Sequence, residues 1–357
     1  VLVSDVGAMA ERGALERRVA EAWSARQRGR GGIFGRTLEI DVRSDGGSVD
    51  GAVRGAEIAI ELGAHALVCC STPAASERVA LLAAEAGIPL LAPSGLPAPT
   101  TAGWAHALAP DDAVAMQAIV RDAYARGLLD LGLLTLEGPF GDQARASLDG
   151  FLAAPGLRVV EDVRYPPDAT VLTPEALWLA TREPQTVLAW GLRRDALLAL
   201  DGLRSRGWSG PVYRRPAVLD ATAGGLPSDL PGDVRAPVSP ASLPDVAPPD
   251  PSQATWREEA RALGGGRLES RPLRADGAIL HDALTLLAAA FEQVETYGID
   301  VTHPAAVRSA LRDALIGLSP RSLAAGRYDL ASDDPRAARA EGMVVARWID
   351  GRLVPLP

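Results

Sequence analysis

Residues Val68–Gly95 read VCCSTPAASERVALLAAEAGIPLLAPSG. An apolar run ends at Ser71-Thr72, a helical pattern follows, and a second apolar run ends at Pro93-Ser94-Gly95. Short apolar runs bounded by turn residues mark buried strands, and a 3.6-residue rhythm marks helix. The stretch is therefore one βαβ unit, which implies a parallel sheet with two strand ends side by side. Ligands of such sheets bind at the carboxyl ends of the strands. Small hydroxyl residues stand at both ends here, just after Cys69 and Cys70. Three uses are open: catalysis, redox chemistry, or a cradle for a small solute.

The same alternation extends in both directions. A strand at Val1–Val6 is followed by a helix over about 13–28, a Gly-rich turn GRGGIFGR, a strand TLEIDVR (Thr37–Arg43) and a helix over 49–62. Beyond Gly95 the rhythm restarts. WAHALAP (Trp104–Pro110) reads as a short strand, and a helix with acidic residues in its first turn follows. LGLLTLEG, LRVVEDVRY, QTVLAWG and GPVYRR are strands separated by helices, one of them opened by Thr173-Pro174. Gly63, Gly87 and Gly127 stand where helix C-terminal caps are expected. From Gly224 to Ser252 the chain is rich in Pro and predicts a loop or crossing segment. Helices follow at about 255–263, 276–296 and 304–314, and Asp350-Gly351 between two apolar runs predicts a hairpin. Two αβ sets in succession thus make an α/β protein of two Rossmann-like lobes.

At 357 residues the chain is long enough for two domains, and 47% hydrophobic content predicts packed cores. The net charge of −9 argues against a nucleic-acid partner. No run is long enough to span a membrane. Lys and Asn are absent, so every basic side chain apart from histidine is Arg. Consecutive Cα atoms lie about 3.8 Å apart, below the roughly 4.4–6.8 Å usual for a disulfide. Cys69 and Cys70 are therefore expected as small apolar residues ending a strand.

GRGGIFGRTLEIDVRSDGG, STPAASERVALLAAEAGIPLLAPSG, LGLLTLEGPFGDQARASLDGFLAAPGLRVVEDVRY and ADGAILHDALTLLAAAFEQV follow one another in a telling order. That order resembles the type I periplasmic solute-binding proteins of ABC transporters, in the leucine/isoleucine/valine-binding branch. The resemblance spans nearly the whole chain. It implies parallel sheets flanked by helices, three hinge crossings, and a cleft between lobes that closes on a ligand. The expected lobes are 1–108 plus 237–318, and 109–236 plus 319–357. It also implies a periplasmic monomer, its export signal removed, that needs no cofactor and hands its solute to a permease.

The resemblance also points to residues. Ser71 and Thr72 match the loop that holds a ligand carboxylate; capping of the next helix is the competing role. Ser94 and Gly95 match the second cradle loop, or form an ordinary turn. Arg12 falls where the first loop offers a side chain, or is a solvated arginine. Phe140 stands where an aromatic covers the ligand. Trp190 ends a strand and is either a ligand contact or core. Arg193, Arg214 and Arg215 follow strand ends. Amino-acid binders often place an acidic residue in the last of these regions, so arginines there disfavour an α-amino acid. His281-Asp282 replaces a Tyr-Asp pair and suggests packing or capping.

Guanidinium forks match carboxylates and aromatic faces match planar rings. The expected ligand is a small anionic solute, aromatic or polycarboxylate, with pyrroloquinoline quinone as a candidate. A branched-chain amino acid or another amino acid is the alternative, as is a ligand sensor built on the same fold. An enzyme is disfavoured, since no G-x-S-x-G, P-loop or H-E-x-x-H motif occurs and His65, His106, His281 and His303 lack metal-ligand spacing. GRGGIFGR precedes a strand rather than linking strand to helix, the wrong setting for a dinucleotide.

Overall fold

A computed structural model describes residues 1–33, 35–96, 103–191, 193–216, 232–243, 251–264, 275–300, 303–331 and 334–356, with the backbone alone at 193–197. The chain begins β1 (Leu2–Val3), α1 (Ala10–Gly29), β2 (Arg43–Ser44), α2 (Val49–Glu61), β3 (Leu67–Val68), α3 (Pro73–Glu85), β4 (Leu90–Ala92) and β5 (Ala105–Ala107). It continues α4 (Asp112–Ala125), β6 (Asp130–Leu136), α5 (Pro139–Asp149), β7 (Arg158–Tyr165), α6 (Thr173–Ala180), β8 (Thr186–Trp190), α7 (Arg193–Arg204), β9 (Val212–Arg214) and β10 (Val234–Val238). Then come α8 (Pro251–Leu263), α9 (Ala275–Thr296), α10 (Pro304–Gly317), β11 (Arg321–Ser322), β12 (Arg327–Tyr328) and β13 (Ala338–Arg339). The hairpin β14 (Val344–Ile349) and β15 (Arg352–Pro355) ends the chain.

Two compact units form, 1–110 with 247–342, and 111–246 with 343–357. In the first, β1 pairs with β2 and β3-β4-β5 form a sheet, all parallel, while β11-β12-β13 are antiparallel. Helix caps follow the sequence: Ser48, Thr72 and Asp111 accept from the N–H groups of Gly51, Ala75 and Val114 at the starts of α2, α3 and α4. Gly63, Gly87 and Gly127 each follow a helix at positive φ.

The second unit is built on one seven-stranded sheet, ordered β15-β14-β10-β9-β8-β6-β7. Its strands from β7 to β10 are parallel, and β14 runs antiparallel against β10. A parallel sheet must be covered on both faces, and alternation along each strand shows how. Leu134, Val187, Ala189 and Val212 meet residues of α6 and α7 on one face. Leu131, Leu133, Leu188, Trp190 and Tyr213 meet α4 and α5 on the other. The expected hairpin is present, with Asp350 and Gly351 at φ 49° and 79° closing a two-residue turn.

Four expectations are corrected. The strand TLEIDVR shrinks to Arg43–Ser44, because β1 offers a two-residue partner and 37–42 pair with nothing in register. The Pro-rich segment contains β10, an inner strand held by β9 and β14. That strand keeps the chain in the second unit past residue 237. The return also comes later than 318, because residues up to 342 belong to the first unit. Asp282 of α9 accepts from the N–H groups of Ala324 and Ala325 and from the Tyr328 hydroxyl. Ala107 of β5 exchanges backbone bonds with Pro335 and Ala337. Finally, Cys69 and Cys70 are joined by a disulfide across a cis peptide bond, their Cα atoms 3.0 Å apart rather than at trans spacing. Both remain buried at the end of β3.

Candidate functional site

In the first unit the expected residues converge at the ends of β1 and β3. An added Cβ at Gly13 would lie 2.2 Å from the Ser4 carbonyl oxygen, so this glycine lets α1 run against the end of β1. One turn on, Glu16 lies on the buried face of α1 with Gly13, Val19, Ala20 and Trp23. The Ser71 hydroxyl donates to Glu16 Oε2 at 2.6 Å and accepts from the Ser4 N–H at 3.0 Å. Arg12 donates from Nε to Glu16 Oε1 at 2.8 Å, and its Nη2 lies 3.5 Å from Asp276. Ser4 Oγ in turn donates to Asp45 at 2.6 Å, and Asp45 accepts from the Gly47 N–H. Burial pushes the Glu16 carboxyl above its ordinary value, while Arg12 and Ser71 pull it back.

Ser71 is 1% exposed and serves this internal network. Thr72 caps α3 and is half-buried, so both capping and ligand contact stay open to it. Ser94 shares a hydrogen bond with Ser76, whose hydroxyl also accepts from the Cys70 N–H. Among the described residues, none lies within 4 Å of a Cβ added at Gly95.

In the second unit, β8 and β9 deliver Trp190 and Arg215 to the same corner as the start of α4. The Trp190 indole donates to Asp112 Oδ2 at 3.2 Å. Arg215 donates from Nε and Nη2 to Asp112 Oδ1 at 3.1 and 2.9 Å. Its guanidinium carbon lies 5.0 Å from the Phe140 ring centre and 5.9 Å from that of Trp190. These are cation–π distances. Two of its five donors are thus spent on Asp112, and the side chain is 21% exposed. Phe140, Trp190 and Arg215 are therefore brought together, but Trp190 is fully buried in the core against α4 and α5, so of its two expected roles the structure gives core rather than ligand contact. Arg214 is buried on the face of β9 that carries Val212. The Arg193 side chain lies outside the described residues.

Sequence reasoning missed Glu16, Ser4, Asp45, Ser76 and Asp112. Glu16 did leave a signal: a lone carboxylate on the apolar face of a helix needs a buried partner. Asp112 was visible only as a first-turn acid. Among the described residues no group of His, Cys, Asp and Glu is arranged to hold a metal ion, and no helix is long and apolar enough to cross a membrane.

A family model described as periplasmic binding protein matches residues 1–352. A solved substrate-binding protein of an ABC transporter from Desulfitobacterium hafniense, in complex with Leu, is similar over 99% of this chain and 98% of its own. Its TM-score is 0.75 and the identity 18%. An extracellular ligand-binding receptor from Rhodopseudomonas palustris HaA2 is similar over 100% of this chain and 98% of its own, with TM-score 0.73 and 19% identity. At such identities the likeness is one of fold. No curated protein matches the sequence.

Proposed function

This chain belongs to the periplasmic binding protein family, with the type I fold, and from that premise we propose that it captures a small anionic solute with a planar or aromatic part for an ABC importer. The family consists of substrate-binding and receptor proteins, which places the chain in the periplasm or outside the cell. The observation that carries the ligand class is Arg215, oriented by Asp112 and set beside Phe140 and Trp190. A guanidinium with unused donors receives a carboxylate, and the partly buried Phe140 ring beside it receives a flat apolar body, while Trp190, buried in the core, backs the guanidinium. Pyrroloquinoline quinone combines both features and is one member of the class to be tried.

A second reading is a leucine-like amino acid. The Asp112–Arg215 pair presents both charges side by side, as a zwitterion requires, and the Desulfitobacterium hafniense relative is a complex with Leu. Calorimetry separates the two. Aromatic carboxylates, pyrroloquinoline quinone, leucine, isoleucine and valine are titrated into the chain and into Arg215→Ala. The first reading requires an aromatic acid to bind one per chain and to weaken in the variant. Leucine binding with silence from every aromatic acid defeats it.

A further inference from the structure

Helices α2 and α3 of the first unit carry the same pattern on their outer faces. Each has 13 residues. Each leads into a strand of the parallel pair β3-β4, and both pack into the same core, so they run side by side in one direction. Arg54, Ile58 and Glu61 are the sixth, tenth and thirteenth residues of α2, and Arg78, Leu81 and Glu85 are the sixth, ninth and thirteenth of α3. Such intervals place each trio on one face of its helix. All six are exposed, Ile58 at 43% and Leu81 at 44%, with Leu62 at the end of α2 exposed at 69%. Among the described residues, the side chains of Arg54, Glu61, Arg78 and Glu85 make no hydrogen bond or ion pair. A second copy related by a two-fold axis can meet this face in two ways. With the axis parallel to the helices, α2 lies on the partner's α3 and like charges coincide. With the axis across them, each helix meets its own counterpart antiparallel. Arg54 then faces the partner's Glu61, Arg78 faces the partner's Glu85, and symmetry doubles both pairs. Both close together because the charges stand equally far along the two helices. We propose that this face is a self-association surface for a second copy of this chain, bound antiparallel through α2 and α3, with Ile58 and Leu81 enclosed among the four ion pairs. Two helices about 20 Å long and about 10 Å apart offer about 400 Å² per copy. That is half of the roughly 800 Å² of a standard interface, so the dimer is reversible. The surface is independent of which solute is bound.

The test is analytical ultracentrifugation over a wide range of concentration. Wild type should show a reversible monomer–dimer equilibrium. Arg54→Glu and Glu61→Arg each turn two attractions into two repulsions, so either dimer should weaken about tenfold on the scale of exposed ion pairs. Arg54→Glu/Glu61→Arg restores opposite charges and should associate as wild type does. The two single variants, mixed in equal amounts, should pair with each other more tightly than either pairs with itself, since one presents two acids and the other two arginines. A wild type that stays monomeric at every concentration overturns the proposal and leaves the face to a different protein. Self-association unaltered by the charge variants overturns it too, as do single variants with no preference for each other, because a dimer of another geometry is indifferent to this register. Melting temperatures equal to wild type show that lost pairing is not lost folding. If a variant of α2 melts lower, Arg78→Glu and Glu85→Arg replace it on α3 and are judged by the same criteria.

Discussion

At the scale of single residues, the two strand-end corners differ in what their arginines are free to do. Arg12 is wrapped by Glu16 and Asp276, whereas Arg215 is anchored at one edge and keeps donors to spare. Asp112 is then a positioning residue, since it fixes both the Arg215 guanidinium and the Trp190 indole. Charge-assisted bonds contribute about 1.5–3 kcal/mol each. Asp112→Ala is accordingly expected to weaken an anionic solute by about tenfold to a hundredfold on that scale. Asp112→Asn, which keeps an acceptor, should lose less, and a neutral analogue should be little affected by either. Calorimetry together with Trp fluorescence reads this out. Glu16 has a pH signature of its own. Burial holds its folded-state value above the ordinary 4.5, so ionising it costs the folded state more than the unfolded one. Its contribution is complete below 4.5 and is lost as pH rises through the raised value. Urea midpoints of wild type should therefore fall relative to Glu16→Gln across that window; parallel profiles would refute the assignment. Of these residues, the neighbourhood of Phe140 and Arg215 was legible because strand ends announce themselves, whereas Trp190 at such an end is core. Glu16 and Asp112 were not, because partnership across α1 to β3, or α4 to β9, leaves no mark in local spacing.

At the scale of elements, legibility followed burial. Strands covered on both faces, such as β6 and β8, read as continuous apolar runs and were placed correctly. TLEIDVR also alternates, yet pairing needs a partner as well as a pattern, and β1 provides only two residues. The contact between α1 and β1 is another feature that periodicity hides. Alanine is a better helix former than glycine by about 1 kcal/mol, so an isolated α1 would gain from Gly13→Ala. In the folded chain the new methyl would sit 2.2 Å from the Ser4 carbonyl, and relieving such overpacking costs about 1–3 kcal/mol. The expected outcome is net destabilisation, with Glu16 drawn away from Ser71, measured as a lowered urea midpoint. Asp282 plays a comparable part between α9 and the turn before β12. Asp282→Ala would strand two backbone N–H groups and the Tyr328 hydroxyl. At about 1–3 kcal/mol for each buried unpaired group, it should cost about 3 kcal/mol or more, seen as a large drop in melting temperature.

At the scale of the whole molecule, the order of elements was readable while the places where the chain changes unit were not. Crossings are decided by which sheet or side chain receives a segment, and that depends on residues remote in sequence. β10 is claimed by β9 and β14, and 323–325 are claimed by Asp282. The chain's last hairpin therefore belongs with residues 111–246 rather than with the residues immediately before it. Trp348 of β14 tests this, since it is 8% exposed and packs in the second unit's core with Leu134, Val187 and Ala236. Trp348→Ala should cost about 3 kcal/mol, the lower end for a buried aromatic truncated to Ala. Hydrogen exchange followed by mass spectrometry locates the loss. Amides of β6, β8, β9 and β10 should exchange faster in the variant, since they share that core and its sheet. Those of α9, α10 and β11–β13 should keep wild-type protection although they are nearer in sequence. If β11–β13 open together with the β6–β10 sheet, the third crossing lies before residue 321 and the boundary at 342/343 is wrong.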